Sequence, residues 1–237
     1  MELRNKIARD ITWILLSWSA WFVPILVIVY VAFKIMGGEV EINQQNIDQV
    51  TFFTFAYHPS KIFMLVIGII HVSGFLPFFA KQGVTRRDYF FGSGISSVLV
   101  SLMLMISAGF VTLVENILFP VIETEFIISA EAPWYLTATV FTLNLLVYFM
   151  AGWLIGAGFY RFGGIGGMLY IAIAIVMVLF SSMFWEGEEK HPLNCPFGLS
   201  NLRDLPPSVS LMGTFLLIAV MLWIVRATTR SVRIKMK

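Results

Sequence analysis

The stretch "AGWLIGAGFYRFGGIGG", Ala151–Gly167, contains Arg161, the only charge between Ala132 and Trp185. One straight helix over that run would rise about 80 Å, against a bilayer hydrocarbon core of about 30 Å. The run therefore reads as two apolar helices joined at Arg161. Gly163, Gly164, Gly166 and Gly167 suit a tight turn there, because glycine tolerates positive φ angles. Gly152 and Gly156 add a GxxxG spacing, which lets another helix backbone approach closely.

The rest of the chain has the same character. Of its 237 residues, 58% are hydrophobic and 13% charged, and mean hydropathy is +0.84. A soluble domain carries about 25% charge, so this chain must present much of its surface to lipid. The net charge of +2 is too small to suggest a nucleic-acid partner. One cysteine, Cys195, excludes an intrachain disulfide framework.

Uncharged windows run over Ile11–Phe33, Ile62–Ala80, Tyr89–Val114, Ala132–Tyr160, Phe162–Trp185 and Leu205–Val225. Each reaches the roughly 19–20 residues a helix needs to cross a bilayer. Barrel strands would alternate in polarity, and these windows do not. The expected fold is an all-α polytopic membrane protein with six transmembrane helices. Basic residues precede the first window, as in a leader peptide, but no small-residue cleavage site follows it, so a retained span is expected. Leu3, Ile7 and Ile11 share one helical face, predicting a short amphipathic interfacial helix over residues 1–10. The six-helix domain then covers 11–228, and a basic tail covers 229–237.

Orientation follows from the cations. Six crossings put the N-terminus, the turns after the second and fourth helices, and the C-terminus on one side. That side receives Arg4, Lys6, Arg9, Lys81, Arg86, Arg87, Arg161, Arg226, Arg230, Arg233, Lys235 and Lys237. Only Lys34, Lys61, Lys190 and Arg203 fall opposite. The positive-inside rule then makes both termini cytoplasmic in a multi-pass cell-membrane protein. Six tryptophans, Trp13, Trp18, Trp21, Trp134, Trp185 and Trp223, fall mostly near span ends, as an interfacial belt requires.

Enzymatic constellations are missing from the sequence: it has no HExxH, CxxC, GxSxG or Walker-type phosphate loop. His191 and Cys195 share an outer loop, but two ligands do not make a zinc site. No metal site and no catalytic residue is expected. His71, in "GIIHVSGFLP", is the most unusual intramembrane residue. It reads either as a neutral histidine bonded to a neighbouring helix or, with Ser73, as part of a translocation path. Gly74 and Pro77 make a kink in this half of the helix plausible. Glu115 either caps a cavity from outside or snorkels to the headgroups. Thr142 and Asn144 read as interhelical hydrogen-bonding groups.

The turn "KQGVTRRDYFFG", Lys81–Gly92, is more than a positive anchor. Gly83 can end one helix, Thr85 can cap another, and Asp88 stands three residues after Thr85. Arg86, Arg87 and Tyr89 then form a docking surface on a short cytoplasmic helix. Arginine suits that role because its planar fork pairs carboxylates or carbonyls.

At these residues "GVTRRDYFFG" resembles the cytoplasmic coupling segment of bacterial type-2 ATP-binding-cassette (ABC) permeases. "GFYRFGGIGG" is similar to that family's arginine-glycine turn between helices 4 and 5. Six spans, cytoplasmic termini and an amphipathic start match along nearly the whole chain. The family often has re-entrant outer helices between spans 5 and 6, where this chain has a proline-rich acidic loop. The resemblance implies a permease subunit without its own ATPase. It would pair with a second permease and with cytoplasmic ATPase subunits that bind ATP and Mg. Gly83, Thr85, Arg86, Arg87, Asp88, Tyr89 and Arg161 would couple it to them. Its implied work is export of an amphipathic or hydrophobic substrate, such as a peptide, antimicrobial or lipid. His71, Ser73 and Glu115 are the candidates for the path. Two other classes stay open: a stand-alone secondary transporter, for which no halves repeat here, and a membrane immunity or sensor protein.

Overall fold

A computed structural model describes residues 2–36, 41–42, 45–46, 50–118, 133–185 and 206–230. The chain is helical. Its elements are α1 (Glu2–Met36), a two-residue antiparallel strand pair β1 (Glu41–Ile42) and β2 (Gln45–Asn46), and α2 (Phe52–Ile70). A π-helical turn (His71–Phe75) follows, then α3 (Leu76–Lys81), α4 (Arg86–Leu118), α5 (Trp134–Trp185) and α6 (Pro207–Thr229). Among the described residues, five helices are long and apolar enough to cross a membrane: Arg9–Ile35, Phe52–Lys81, Arg86–Leu118, Trp134–Trp185 and Pro207–Thr229. Continuous backbone hydrogen bonding inside each helix is what the bilayer demands, since lipid satisfies no N–H or C=O.

α5 is not straight. At Gly163 the backbone leaves helical geometry, with φ 74° and ψ −157°, a region essentially reserved for glycine. Beyond it the chain folds back. Ser181 Oγ donates to Asn144 Oδ1 at 2.9 Å, whereas a straight helix would hold those residues about 55 Å apart. The ring of Tyr170 also fills the space beside Gly158. The glycine turn expected at Arg161 is present, within two residues of it.

Two boundaries differ from the sequence reading. Residues 2–10 continue without interruption into the rest of α1 and do not form a separate element. α2 begins at Phe52, ten residues before the expected Ile62, and includes His58, Pro59 and Lys61. Lys61 is only 3% exposed, with its ammonium 4.1 Å above the Tyr57 ring. The ring face is one of the contacts that accommodate this buried cation.

The chain divides into two compact units, residues 1–62 with 91–142, and 63–90 with 143–237. The first has a core around Ile11, Leu15, Val100 and Leu104 and an aromatic cluster in which Phe141 packs on Phe53 and Tyr57. In the second, α2 and α5 meet through glycines. A side chain at Gly152 would strike the Leu65 carbonyl, one at Gly156 the Ile69 carbonyl, and one at Gly68 the Phe149 carbonyl. The GxxxG spacing is thus occupied within this chain, where absent side chains let two backbones touch. Met64, Ile67, Phe149, Trp153 and Leu154 complete that core.

Candidate functional site

The basic turn lies in the second unit. α3 ends at Lys81, and the amides of Gln82, Gly83 and Val84 donate to the carbonyls of Phe79 and Ala80. Gly83 takes φ 80°, closing the turn in a left-handed conformation. Thr85 then caps α4: its hydroxyl donates to Asp88 Oδ2 at 2.6 Å and accepts from the Asp88 amide at 3.2 Å. The Thr85 hydroxyl thus accepts from a first-turn amide of α4 as an N-cap does, and the Asp88 carboxylate holds that hydroxyl in place. The expected cap is therefore present. The helix it starts is not a short one, for α4 continues to Leu118 with no breaker after Asp88.

The side chains of this turn divide by direction. Lys81, Gln82, Gly83, Thr85 and Arg87 are exposed. Arg86 instead donates to the Arg230 carbonyl at 3.1 Å. Arg161, from the other glycine turn, donates to the carbonyls of Ala227 (3.2 Å) and Thr228 (2.9 Å). Both guanidinium groups thus serve the end of α6, where carbonyls lack intrahelical donors and carry partial negative charge. Tyr170 Oη and Thr228 Oγ1, 2.8 Å apart, and Arg226, stacked over Phe90, tighten the same end. Of the coupling residues named from sequence, Arg86 and Arg161 converge on α6, while Arg87 faces outward. Tyr170 and Thr228 escaped the sequence reading and Arg226 was read only as an inside cation; the acceptors of Arg86 and Arg161 are backbone atoms without a side-chain signature.

Tyr89 points the other way. It is buried, and its hydroxyl donates to the His71 carbonyl at 2.6 Å. The His71 ring is fully buried among Phe75, Tyr89, Phe149 and Trp153, with centroids 5.2 to 5.8 Å away. Neither ring nitrogen has a hydrogen-bond partner among the described residues. Ser73 is exposed, its hydroxyl 3.4 Å from the carbonyls of Ile69 and Ile70. The two proposed path residues of this unit therefore face different environments.

Glu115 belongs to the first unit. Its Oε1 accepts from Tyr30 Oη and Lys34 Nζ, each at 2.5 Å, and its Oε2 from the Phe52 amide at 2.9 Å. Tyr30 Oη also lies 2.7 Å from the Val50 carbonyl. The carboxylate joins the C-terminal ends of α1 and α4 to the first turn of α2, where free amides favour a negative charge. Glu115 was visible in the sequence, but Tyr30 and Lys34 were not recognised as its partners. Their one signal was a cation and an acid at the same end of two long spans.

Thr142 and Asn144 also have partners. Asn144 bonds Ser181 across the α5 fold-back, as expected, while Thr142 donates to its own helix at Ala138. No cluster of three or more metal-ligating side chains occurs among the described residues. His191, Cys195, the loop before Pro206 and residues 231–237 of the basic tail lie outside the described residues, while Thr229 and Arg230 close α6. No family model matches this chain, and no curated protein or solved structure matches it either.

Proposed function

We propose that this chain is the permease subunit of an ATP-driven exporter in a bacterial plasma membrane. It crosses the membrane six times with both termini in the cytoplasm. A second permease and separate ABC-type ATPase subunits, which bind ATP and Mg, complete the machine. The fold-back at Gly163 supports six crossings, because it splits α5 into two apolar stretches, each of spanning length. With that count, the positive residues gather inside.

One observation supports the coupling role most directly: the turn from Gly83 to Tyr89 is fixed at both ends. A left-handed glycine and the Thr85 N-cap, with its hydroxyl held by Asp88, shape it, Tyr89 anchors it inward, and Arg87 stays exposed. A rigid cationic protrusion suits docking to an acidic groove on a motor subunit. ATP then drives transport by binding one conformation of the complex better than the other. The apolar spans suit an amphipathic or hydrophobic cargo such as a peptide, antimicrobial or lipid.

Purification in mild detergent together with the products of neighbouring genes tests the reading. An ATPase is expected to co-elute in stoichiometric amount and to be lost with Arg87→Glu. A chain that elutes alone and moves cargo on an ion gradient would overturn it.

A further inference from the structure

We infer that the π turn His71–Phe75 is a hinge, and that Tyr89 is the link by which the basic turn sets its position. The inference rests on the permease reading for its purpose, and on the second unit alone for its geometry.

The segment before the hinge is held fast. Leu65 and Ile69 contribute the carbonyls that meet Gly152 and Gly156, so α2 has no room to slide or roll against α5 up to residue 69. After the hinge comes a short lever. α3 has only six residues, ends at Lys81, and is followed by Gly83 in the left-handed region. Its Phe79 is buried, with its ring 6.1 Å from that of Tyr89. A clamp and a lever thus flank five residues of π-helix.

Those five residues are where bending costs least. A π turn replaces the four-residue hydrogen-bond spacing with five, and the Leu76 amide accordingly donates to the His71 carbonyl. Kinks localise at such turns. On the outer side of the turn, Ser73 and Gly74 are exposed, and a side chain at Gly74 would meet only the Ile70 methyl at 3.4 Å. Nothing packed resists a change of register on that side.

Tyr89 selects the register. The His71 carbonyl accepts twice, from the Leu76 amide and from the Tyr89 hydroxyl. In an α-helical register the Leu76 amide would turn to Val72, and the Phe75 amide would take its place on the His71 carbonyl, which would then point in a different direction. Holding the Tyr89 hydroxyl on it favours the π form, so displacement of the cap by a docked partner acts on the carbonyl one residue chain away. The His71 ring, buried with neither nitrogen partnered among the described residues, pays a desolvation cost in this arrangement. That cost is a reason for a second arrangement to lie close in free energy, as a hinge requires.

Hydrogen–deuterium exchange on the full chain in lipid nanodiscs tests the link. Tyr89→Phe removes one oxygen from a buried site and is expected to speed amide exchange in 72–80 at least tenfold, with 63–70 unchanged. A second variant, deletion of Gly74, restores the four-residue spacing. It is expected to slow exchange in 72–80 and make it indifferent to Tyr89→Phe. Equal exchange in 72–80 for wild type and Tyr89→Phe overturns the link, whether or not an ATPase is present. A further arm adds the co-purified ATPase with ATP and vanadate. Exchange in 72–80 is expected to change in wild type and not in the Gly74 deletion; a response confined to 63–70, or the same response in both, overturns the hinge. Failure of any ATPase to bind removes the permease reading, while the exchange measurements on the chain alone still decide between hinge and static kink.

Discussion

The carboxylate of Glu115, near the end of α4, accepts the backbone amide of Phe52, the first residue of α2, at 2.9 Å. An acid from one helix thus supplies the N-terminal cap of another, sixty-three residues away in sequence. The same carboxylate takes a tyrosine and a lysine from α1, so three helices of the first unit share one anchor.

The three donors should not count equally. Tyr30 is buried, whereas the Lys34 side chain is about a quarter exposed. Removing a buried donor costs on the order of 1–2 kcal/mol, while a partly solvated ion pair contributes about 0.5–1 kcal/mol. Glu115→Ala takes the carboxylate from Lys34 and the Phe52 amide and leaves Tyr30 with the Val50 carbonyl, and is expected to cost about 3 kcal/mol or more. Tyr30→Phe should follow and Lys34→Met should cost least. Thermal unfolding of the purified variants in one detergent checks the order, and a Lys34→Met loss as large as that of Glu115→Ala would contradict it.

At Gly163 the question is backbone alone. No atom lies within 4 Å of where a side chain would be, yet φ is 74°. Gly163→Ala is expected to destabilise by about 1–3 kcal/mol. The neighbouring Gly164 has equally open surroundings and no positive φ, so Gly164→Ala should be neutral or slightly stabilising. Comparing the melting temperatures of the pair isolates conformation from packing. Equal losses would mean that the fold-back does not depend on this torsion.

Gly152 poses the opposite case. It is helical, and its substitution fails through contact with the Leu65 backbone. Gly152→Ala is expected to cost about 1–3 kcal/mol by forcing α2 and α5 apart. Gly109, within α4, has nothing within 4 Å, and Gly109→Ala should be tolerated. Exchange protection of residues 64–69 gives a local readout, because a separation of the two backbones must appear there first.

How far the sequence anticipated these features depends on the range of the interaction responsible. The fold-back was legible because a lone arginine and a glycine run interrupt an apolar stretch too long for one span. The cap at Thr85 and Asp88 was legible because it is completed within four residues. The start of α2 was not. His58, Pro59 and Lys61 break the apolar window, and the contacts that carry the helix through them come from Glu115 and from the face of Tyr57. The destinations of Arg86 and Arg161 were hidden for another reason: carbonyls at a helix end are available in any sequence. The setting of His71 depends on Phe149 and Trp153, far along the chain, and the order of residues around it carries no trace of them.

The two adjacent arginines should separate by charge reversal. Arg86 holds the Arg230 carbonyl, so Arg86→Glu places an acid beside the negative end of α6. It is expected to loosen that end, seen as faster exchange in 224–230, whether or not a partner is present. Arg87 is exposed, so Arg87→Glu should leave exchange in the isolated chain unchanged while weakening capture of the ATPase at least tenfold. Raising salt from 0.1 to about 0.5 M should weaken wild-type capture in the same direction, because an exposed cation acting on an acidic groove is screened over roughly 10 Å at the lower concentration. Capture that survives Arg87→Glu and is insensitive to salt would overturn the proposed docking role of Arg87.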